Sequence, residues 1–151
     1  MNFSAFDHEC MARALRLARR GLFTTDPNPR VGCVIASGEQ IVGQGWHESA
    51  GGPHAEIAAI RDCGRSVDGM TAYVTLEPCS FHGRTPPCAD ALLEAGIGRV
   101  VVAAGDPHPR VNGGGIERLR AGGVQVESGL MSRAAEALNA GFYSRHRSGR
   151  P

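Results

Sequence analysis

The chain is constrained most by residues 75–88, which read Thr-Leu-Glu-Pro-Cys-Ser-Phe-His-Gly-Arg-Thr-Pro-Pro-Cys. Cys79 and Cys88 each directly follow a proline, and a polar loop of eight residues separates them. Earlier in the chain stands the tetrapeptide Pro53-His54-Ala55-Glu56. One imidazole and two thiolates can hold a zinc ion whose fourth position stays open for water. We therefore expect the fold to bring these two stretches together.

Apolar patterns on both sides of this loop alternate between strands and helices. Residues 31–35 and 41–46 are apolar runs joined by Ser37-Gly38, which predicts a β-hairpin. Later segments predict strands at 71–76, 99–104 and 124–126 and helices at 88–95 and 132–143. This alternation indicates an α/β sandwich with a mixed sheet. Cys79 and Asp106 both follow predicted strands, at the edge where open α/β sheets bind ligands.

Composition and charge exclude several classes of function. The net charge of +1 over 151 residues argues against electrostatically driven binding to nucleic acid or to anionic membranes. No apolar run reaches the roughly 18 residues that span a bilayer, and no signal-peptide core follows Met1. The five cysteines form an odd set, which disfavours a disulfide framework. Together these features predict a single cytoplasmic domain without nucleic-acid or membrane partners.

The His-Ala-Glu motif requires a particular placement to act with the cysteines. His54 and Glu56 would diverge by about 200° in the middle of a helix, so they share a site only at a helix start. Cys88 also begins a predicted helix, where the dipole favours the thiolate that zinc requires. Zinc lowers the pKa of bound water to about 7, and Glu56 is then free to carry the proton. The alternative is a structural zinc knuckle, which would require a fourth protein ligand.

The motifs resemble a known family. His54-Ala-Glu56 followed by Pro78-Cys79 and a second cysteine resembles the zinc nucleobase deaminases, whose cysteines are usually separated by about two residues. With Gly45-Trp46-His47 and residues 106–115, the longer loop is similar to the deaminase domain of the bifunctional riboflavin-biosynthesis deaminase/reductases. The resemblance implies a cytidine-deaminase-like three-layer α/β/α sandwich around a five-stranded mixed sheet. It also implies zinc-dependent removal of the 2-amino group from 2,5-diamino-6-(5-phosphoribosylamino)pyrimidin-4(3H)-one.

The same resemblance implies roles for particular side chains. The metal ligands would be His54, Cys79 and Cys88, the catalytic residue Glu56, and the substrate-binding residues Asn28, His47, His82, Arg84 and Asp106. Asn28 and His47 would contact the pyrimidine, and the other three would contact the ribose phosphate. Alternatives remain for single positions, since Asn28 between two prolines suits a turn and His47 could be a packed residue at the end of a strand.

The resemblance extends to domain organisation and partners. It implies a zinc-dependent pyrimidine deaminase domain over residues 1–143, with 144–151 similar to the start of the linker to a reductase domain. We expect deamination without reduction, assembly into a homo-oligomer, and a reductase domain or protein acting in the same pathway. Two other functions stay open, namely a zinc deaminase of another base or nucleoside, such as guanine, and a non-enzymatic zinc-binding module.

Overall fold

The computed structural model of the chain describes residues 2–21, 29–48, 52–79, 88–105 and 113–140. Within these ranges lie five α-helices and five β-strands. The helices are α1 (Ala5–Ala18), α2 (Ala55–Cys63), α3 (Cys88–Glu94), α4 (Gly114–Ala121) and α5 (Ser132–Leu138). The strands are β1 (Gly32–Ser37), β2 (Gln40–Trp46), β3 (Thr71–Leu76), β4 (Arg99–Ala104) and β5 (Gln125–Ser128). The predicted hairpin and the later alternation of strands and helices are thus confirmed.

The five strands form one mixed sheet in the order β2-β1-β3-β4-β5. The β1–β2 hairpin is antiparallel, and β1 also pairs antiparallel with β3. β3, β4 and β5 run parallel, as expected for strands connected through helices. β3 is therefore the strand at which the sheet changes from antiparallel to parallel pairing, and its C-terminal end leads directly to Cys79.

Helices cover both faces of this sheet. Alternate residues of β3 and β4, such as Tyr73 and Val101, pack with α1 and α5 on one face. Their neighbours, such as Val74 and Val102, pack with α2, α3 and α4 on the other. Strands buried on both faces read as continuous apolar runs, which is the pattern of residues 100–104. The predicted three-layer α/β/α sandwich is confirmed.

The first helix is fixed to the sheet by a buried charge network. Ser4 and Asp7 form a reciprocal capping box at its N-terminus. The Asp7 carboxylate also accepts a hydrogen bond of 2.7 Å from the Tyr73 hydroxyl and two from Arg99, at 3.0 and 3.1 Å. Arg99 in turn contacts Glu127 at 2.6 Å. This network joins α1 to β3, β4 and β5 at the N-terminal ends of the parallel strands, away from Cys79.

Close packing of α2 on the hairpin positions the His-Ala-Glu motif. A Cβ atom at Gly45 would lie 2.6 Å from the backbone nitrogen of Ala59, so only glycine permits this approach. α2 then ends at Gly64, whose φ of 63° suits glycine. Among the described residues, no helix combines the length and the apolar character needed to cross a membrane.

Candidate metal and active site

The two stretches singled out in the sequence meet at the C-terminal end of β3. His54 is the N-cap residue of α2, in extended conformation with φ −71° and ψ 162°. Its imidazole makes no capping hydrogen bond to the helix, and instead its Nδ1 lies 2.9 Å from the Sγ atom of Cys88. Candidate ligand atoms of His54, Cys79 and Cys88 all lie within 4.8 Å of one another. The chain thus presents one nitrogen and two sulfur donors at a single point.

Both cysteines are held by the start of α3. Cys88 is the first residue of the helix, and its N–H donates to the Cys79 Sγ at 3.2 Å. The N–H of Ala89 donates to the Cys79 carbonyl oxygen at 3.0 Å. Cys79 therefore satisfies two N–H groups that the first turn of a helix leaves without intrahelical partners. The helix start fixes the spacing of the two sulfurs.

These contacts give the two thiols different pKa values. Hydrogen bonds from the Cys88 thiol, from His54 and from the Cys88 N–H lower the pKa of Cys79 to about 4. The bond to Cys79, together with burial, raises the pKa of Cys88. The lower pKa therefore falls on Cys79 and not on Cys88, where the helix start had predicted it, because Cys88 donates to Cys79 and is the more deeply buried thiol. Binding of a metal through both sulfurs must displace the proton that Cys88 retains.

Glu56 lines the same pocket as two of the three donors, His54 and Cys79. The pocket is lined by residues of α2, of the segments before β1 and after β2, and of the end of β3, including His47, His54, Glu56 and Cys79. Glu56 is only 3% exposed. Burial raises the pKa of Glu56 to about 7. A carboxyl group with such a pKa can both accept and return a proton near neutral pH.

His47 lines this pocket, and one of its ring nitrogens is buried without a hydrogen-bond partner among the described residues. Its Nδ1 lies 3.0 Å from the Pro53 carbonyl oxygen, and because a carbonyl only accepts, Nδ1 carries the hydrogen. In the neutral ring the buried nitrogen, Nε2, is then an acceptor. The ring packs edge-on against His54 at 5.4 Å between centroids. His47 therefore offers an acceptor beside the candidate metal ligands.

Glu77 is a buried carboxylate in this region that the sequence interpretation missed. It accepts hydrogen bonds from the N–H groups of Gly113, Gly115 and Ile116, at 3.0, 2.9 and 3.2 Å. A Cβ atom at Gly115 would overlap the Pro78 carbonyl oxygen. Glu77 and Gly115 together fix the start of α4 against the Pro78-Cys79 step. In the sequence, the run of glycines at 113–115 was the feature that could have indicated this contact, because glycine permits such close backbone approach.

Comparison with known proteins places this geometry in a family. The family model of the cytidine and deoxycytidylate deaminase zinc-binding region matches residues 4–104. A Buchnera aphidicola (subsp. Schizaphis graminum) diaminohydroxyphosphoribosylamino-pyrimidine deaminase is 48% identical over 145 residues, which cover 96% of this chain and 99% of the relative. The chain belongs to the riboflavin-biosynthesis branch of the zinc-dependent deaminases.

Some relatives of this chain are longer. The riboflavin biosynthesis protein RibD of Escherichia coli is 58% identical over 96% of this chain, but the match spans only 40% of the relative. The structure of Acinetobacter baumannii RibD superposes with a TM-score of 0.92 at 49% identity, covering 95% of this chain and 40% of the other. The chain thus spans about 40% of the RibD proteins that it matches, and the cytidine-deaminase-like fold expected from the sequence is confirmed.

The structure describes some of the predicted site residues and not others. His54, Cys79 and Cys88 are positioned to bind a metal ion, which agrees with the zinc-binding region of the family model. Glu56 and His47 line the same pocket. The predicted substrate-binding residues Asn28, His82, Arg84 and Asp106 lie outside the described residues.

Proposed function

We propose that this chain catalyses the hydrolytic deamination of 2,5-diamino-6-(5-phosphoribosylamino)pyrimidin-4(3H)-one. The products would be 5-amino-6-(5-phosphoribosylamino)uracil and ammonia. The observation that carries this proposal is the burial of Glu56 in the pocket that His54 and Cys79 also line, with the Cys88 Sγ 2.9 Å from the His54 Nδ1. The choice of substrate is supported by a relative at 48% identity that matches over 99% of its length and is named for this deaminase.

The donor set fits a catalytic zinc ion. His54, Cys79 and Cys88 supply one nitrogen and two sulfurs, and three protein ligands leave the fourth tetrahedral position to water or substrate. The low pKa of Cys79 provides one thiolate before any metal binds. When bound, zinc supplies Lewis-acid activation of water at neutral pH. His54 caps α2, Cys88 begins α3 and Cys79 lies in the loop after β3, so no helix has to distort to present them.

Glu56 would move the proton during the reaction. Hydrolysis replaces the carbon–nitrogen bond of the 2-amino group with a carbon–oxygen bond to water. The Glu56 carboxylate takes a proton from the attacking water and delivers it to the departing nitrogen, which leaves as ammonia. Burial raises the pKa of Glu56 above its ordinary value, which favours a group that both takes and returns a proton. Its position two residues after His54, in the first turn of α2, keeps the carboxylate in the pocket with the donors.

His47 would orient the pyrimidine. Its buried Nε2 is an acceptor, so it would take a hydrogen bond from an N–H of the ring or from the amino group. We propose the remaining contacts from the resemblance alone. Asn28 would contact the pyrimidine, and His82, Arg84 and Asp106 would contact the ribose phosphate. An arginine is chemically suited to the phosphate because its planar fork binds oxyanions in a bidentate manner.

Domain organisation and partners are also inferred. We infer that residues 1–143 form the deaminase domain and that 144–151 begin a linker. A reductase would act on the product, either as a further domain or as a separate protein. A Thermotoga maritima structure similar to this chain is named as both a deaminase and a 5-amino-6-(5-phosphoribosylamino)uracil reductase, which supports this pairing. Assembly into a homo-oligomer is also proposed, and β2 at the sheet edge offers a surface for it.

The test is ammonia release from the diaminopyrimidinone phosphoriboside, with and without a zinc chelator. Glu56→Gln should lower the turnover number at least 100-fold, the lower end of general acid–base contributions, while the zinc content stays at the wild-type value. Glu117→Gln, an exposed glutamate on α4, is the matched control and should leave turnover unchanged. Retained turnover in Glu56→Gln would refute the assigned role. Preferential release of ammonia from guanine or a nucleoside would refute the assigned substrate.

A further inference from the structure

The candidate pocket lies where two neighbouring strands part. The antiparallel pairing of β1 with β3 runs from Ala36↔Thr71 to Cys33↔Val74 and stops there. Continued in the same register, it would set Val31 opposite Leu76. Both of these residues instead line the pocket, as do Pro29 and Glu77 farther along the two segments. The pocket therefore occupies the gap that opens when residues 29–31 and residues 76–79 stop pairing.

Strands that part leave backbone groups without ladder partners, and buried groups of this kind need replacements. The N–H of Gly32 donates to the Thr75 Oγ1 at 3.1 Å, so a side chain takes the place of a strand partner. Two residues earlier, the Arg30 N–H donates to the Asn139 Oδ1 at 2.7 Å. The Asn139 Nδ2 donates back to the Arg30 carbonyl oxygen at 2.8 Å. One amide side chain thus satisfies both backbone groups of Arg30.

Asn139 is itself buried at the end of a helix that packs on the sheet. It follows the last residue of α5 and is 8% exposed. The Arg30 guanidinium donates to the Leu138 carbonyl oxygen at 3.1 Å, which adds a third bond between the two segments. α5 packs on the sheet through buried Ala135. The helix end is therefore a fixed point, 109 residues away in sequence, against which the segment before β1 is tied.

The other side of this segment leads to the active site. The Val31 carbonyl oxygen accepts the His47 N–H at 3.0 Å, and the His47 ring bonds to Pro53, the residue before His54. A shift of residues 29–31 would therefore move His47 and one wall of the pocket. It would leave the other wall in place, because Cys79 is fixed by α3 and Glu56 by α2.

We propose that Thr75 and Asn139 are positioning residues that hold residues 29–31 apart from residues 76–79 and so shape the substrate pocket. This inference deepens the proposed function and rests on it for its effect on substrate. The two side chains take over the hydrogen bonds that would otherwise draw β1 and β3 together beyond Cys33. Asn139 lies beyond the part of the chain that the family model matches, residues 4–104. The shaping therefore uses an element outside the zinc-binding region.

The test compares Asn139→Ala and Thr75→Val with two controls. Thr75→Ser retains the hydroxyl acceptor, and Arg133→Ala changes an exposed side chain of α5, the helix that Asn139 follows. Zinc-loaded proteins are assayed well below their unfolding temperatures. We expect KM to rise about tenfold in Thr75→Val, which loses one hydrogen bond, and at least as much in Asn139→Ala, which loses two, with kcat and zinc content unchanged. The controls should keep the wild-type KM.

Hydrogen exchange measured by NMR supplies a readout that does not depend on activity. The Arg30 amide should exchange faster in Asn139→Ala, the Gly32 amide faster in Thr75→Val, and both should keep wild-type protection in the controls. Lower thermal stability with unchanged KM would overturn the inference, as would unchanged exchange at Arg30 and Gly32. If the wild-type protein releases no ammonia from the diaminopyrimidinone, the proposed function fails. The exchange rates then decide by themselves whether these side chains hold the segment.

Discussion

The buried contact between Asp7 and Arg99 gives the sharpest prediction about stability. Asp7 is 5% exposed, and its carboxylate accepts hydrogen bonds from both terminal nitrogens of Arg99, from Tyr73 and from the Ser4 N–H. In Asp7→Asn the single remaining oxygen can accept about half of these bonds. Charge-assisted bonds contribute about 1.5–3 kcal/mol each, and Arg99 keeps Glu127 as a partner, so we expect a loss of about 3 kcal/mol. That loss corresponds to a fall in Tm of about 6–12 °C for a chain of this size.

The pH dependence of unfolding provides a second measurement on the same variant. The hydrogen bonds from Arg99 hold the pKa of Asp7 well below its ordinary value of 3.8. The unfolded chain therefore binds a proton at Asp7 before the folded chain does. The stabilisation is fully present above about pH 4 and is lost as the pH falls towards the folded-state pKa. The difference in stability between wild type and Asp7→Asn should narrow steadily below about pH 4.

Urea and thermal unfolding of the zinc-loaded protein near neutral pH measure the first effect. The pH series compares wild type and Asp7→Asn in the zinc-free form, because protonation of the ligands releases zinc at low pH. Arg118→Gln is the control, because it breaks the exposed ion pair with Asp90, in which the Arg118 side chain is 54% exposed. Exposed pairs of this kind contribute about 0–1 kcal/mol. If Asp7→Asn costs no more than Arg118→Gln, the reasoning that this network anchors α1 to the sheet is wrong.

Three further variants test the structure around the site. Cys88→Ser should reduce zinc stoichiometry, measured by elemental analysis, because it removes one of three donors; full retention of zinc would contradict its assignment as a ligand. Gly115→Ala should lower the free energy of unfolding by about 1–3 kcal/mol, since its methyl group would overlap the Pro78 carbonyl oxygen, and unchanged urea unfolding would contradict that contact. Glu77→Gln should destabilise the start of α4 by about 1–3 kcal/mol, because one oxygen cannot replace both carboxylate oxygens that bind N–H groups. Hydrogen exchange at Gly113 and Gly115 measures that loss, and wild-type protection there would refute it.

The sequence alone determined the features that depend on local patterns. The alternation of apolar runs predicted the strands and helices, because burial on two faces of a sheet and on one face of a helix leaves distinct periods. Pro53 before His54, and the start of a helical pattern at Cys88, predicted that both motifs lie at helix starts. The structure places His54 as the N-cap of α2 and Cys88 as the first residue of α3. The metal donors were therefore predictable from residue type and from element boundaries.

Only the tertiary structure decided which distant groups pair with one another. Glu77 binds α4 across 38 residues, Asp7 binds Arg99 across 92 and Asn139 binds Arg30 across 109. No local period encodes these pairs, because each partner's position depends on how the sheet is ordered and where β1 and β3 part. In the sequence, Glu77 is one more acidic residue and Asn139 one more polar residue near a helix end. Their roles follow from buried backbone groups that need partners, and only the assembled fold creates that need.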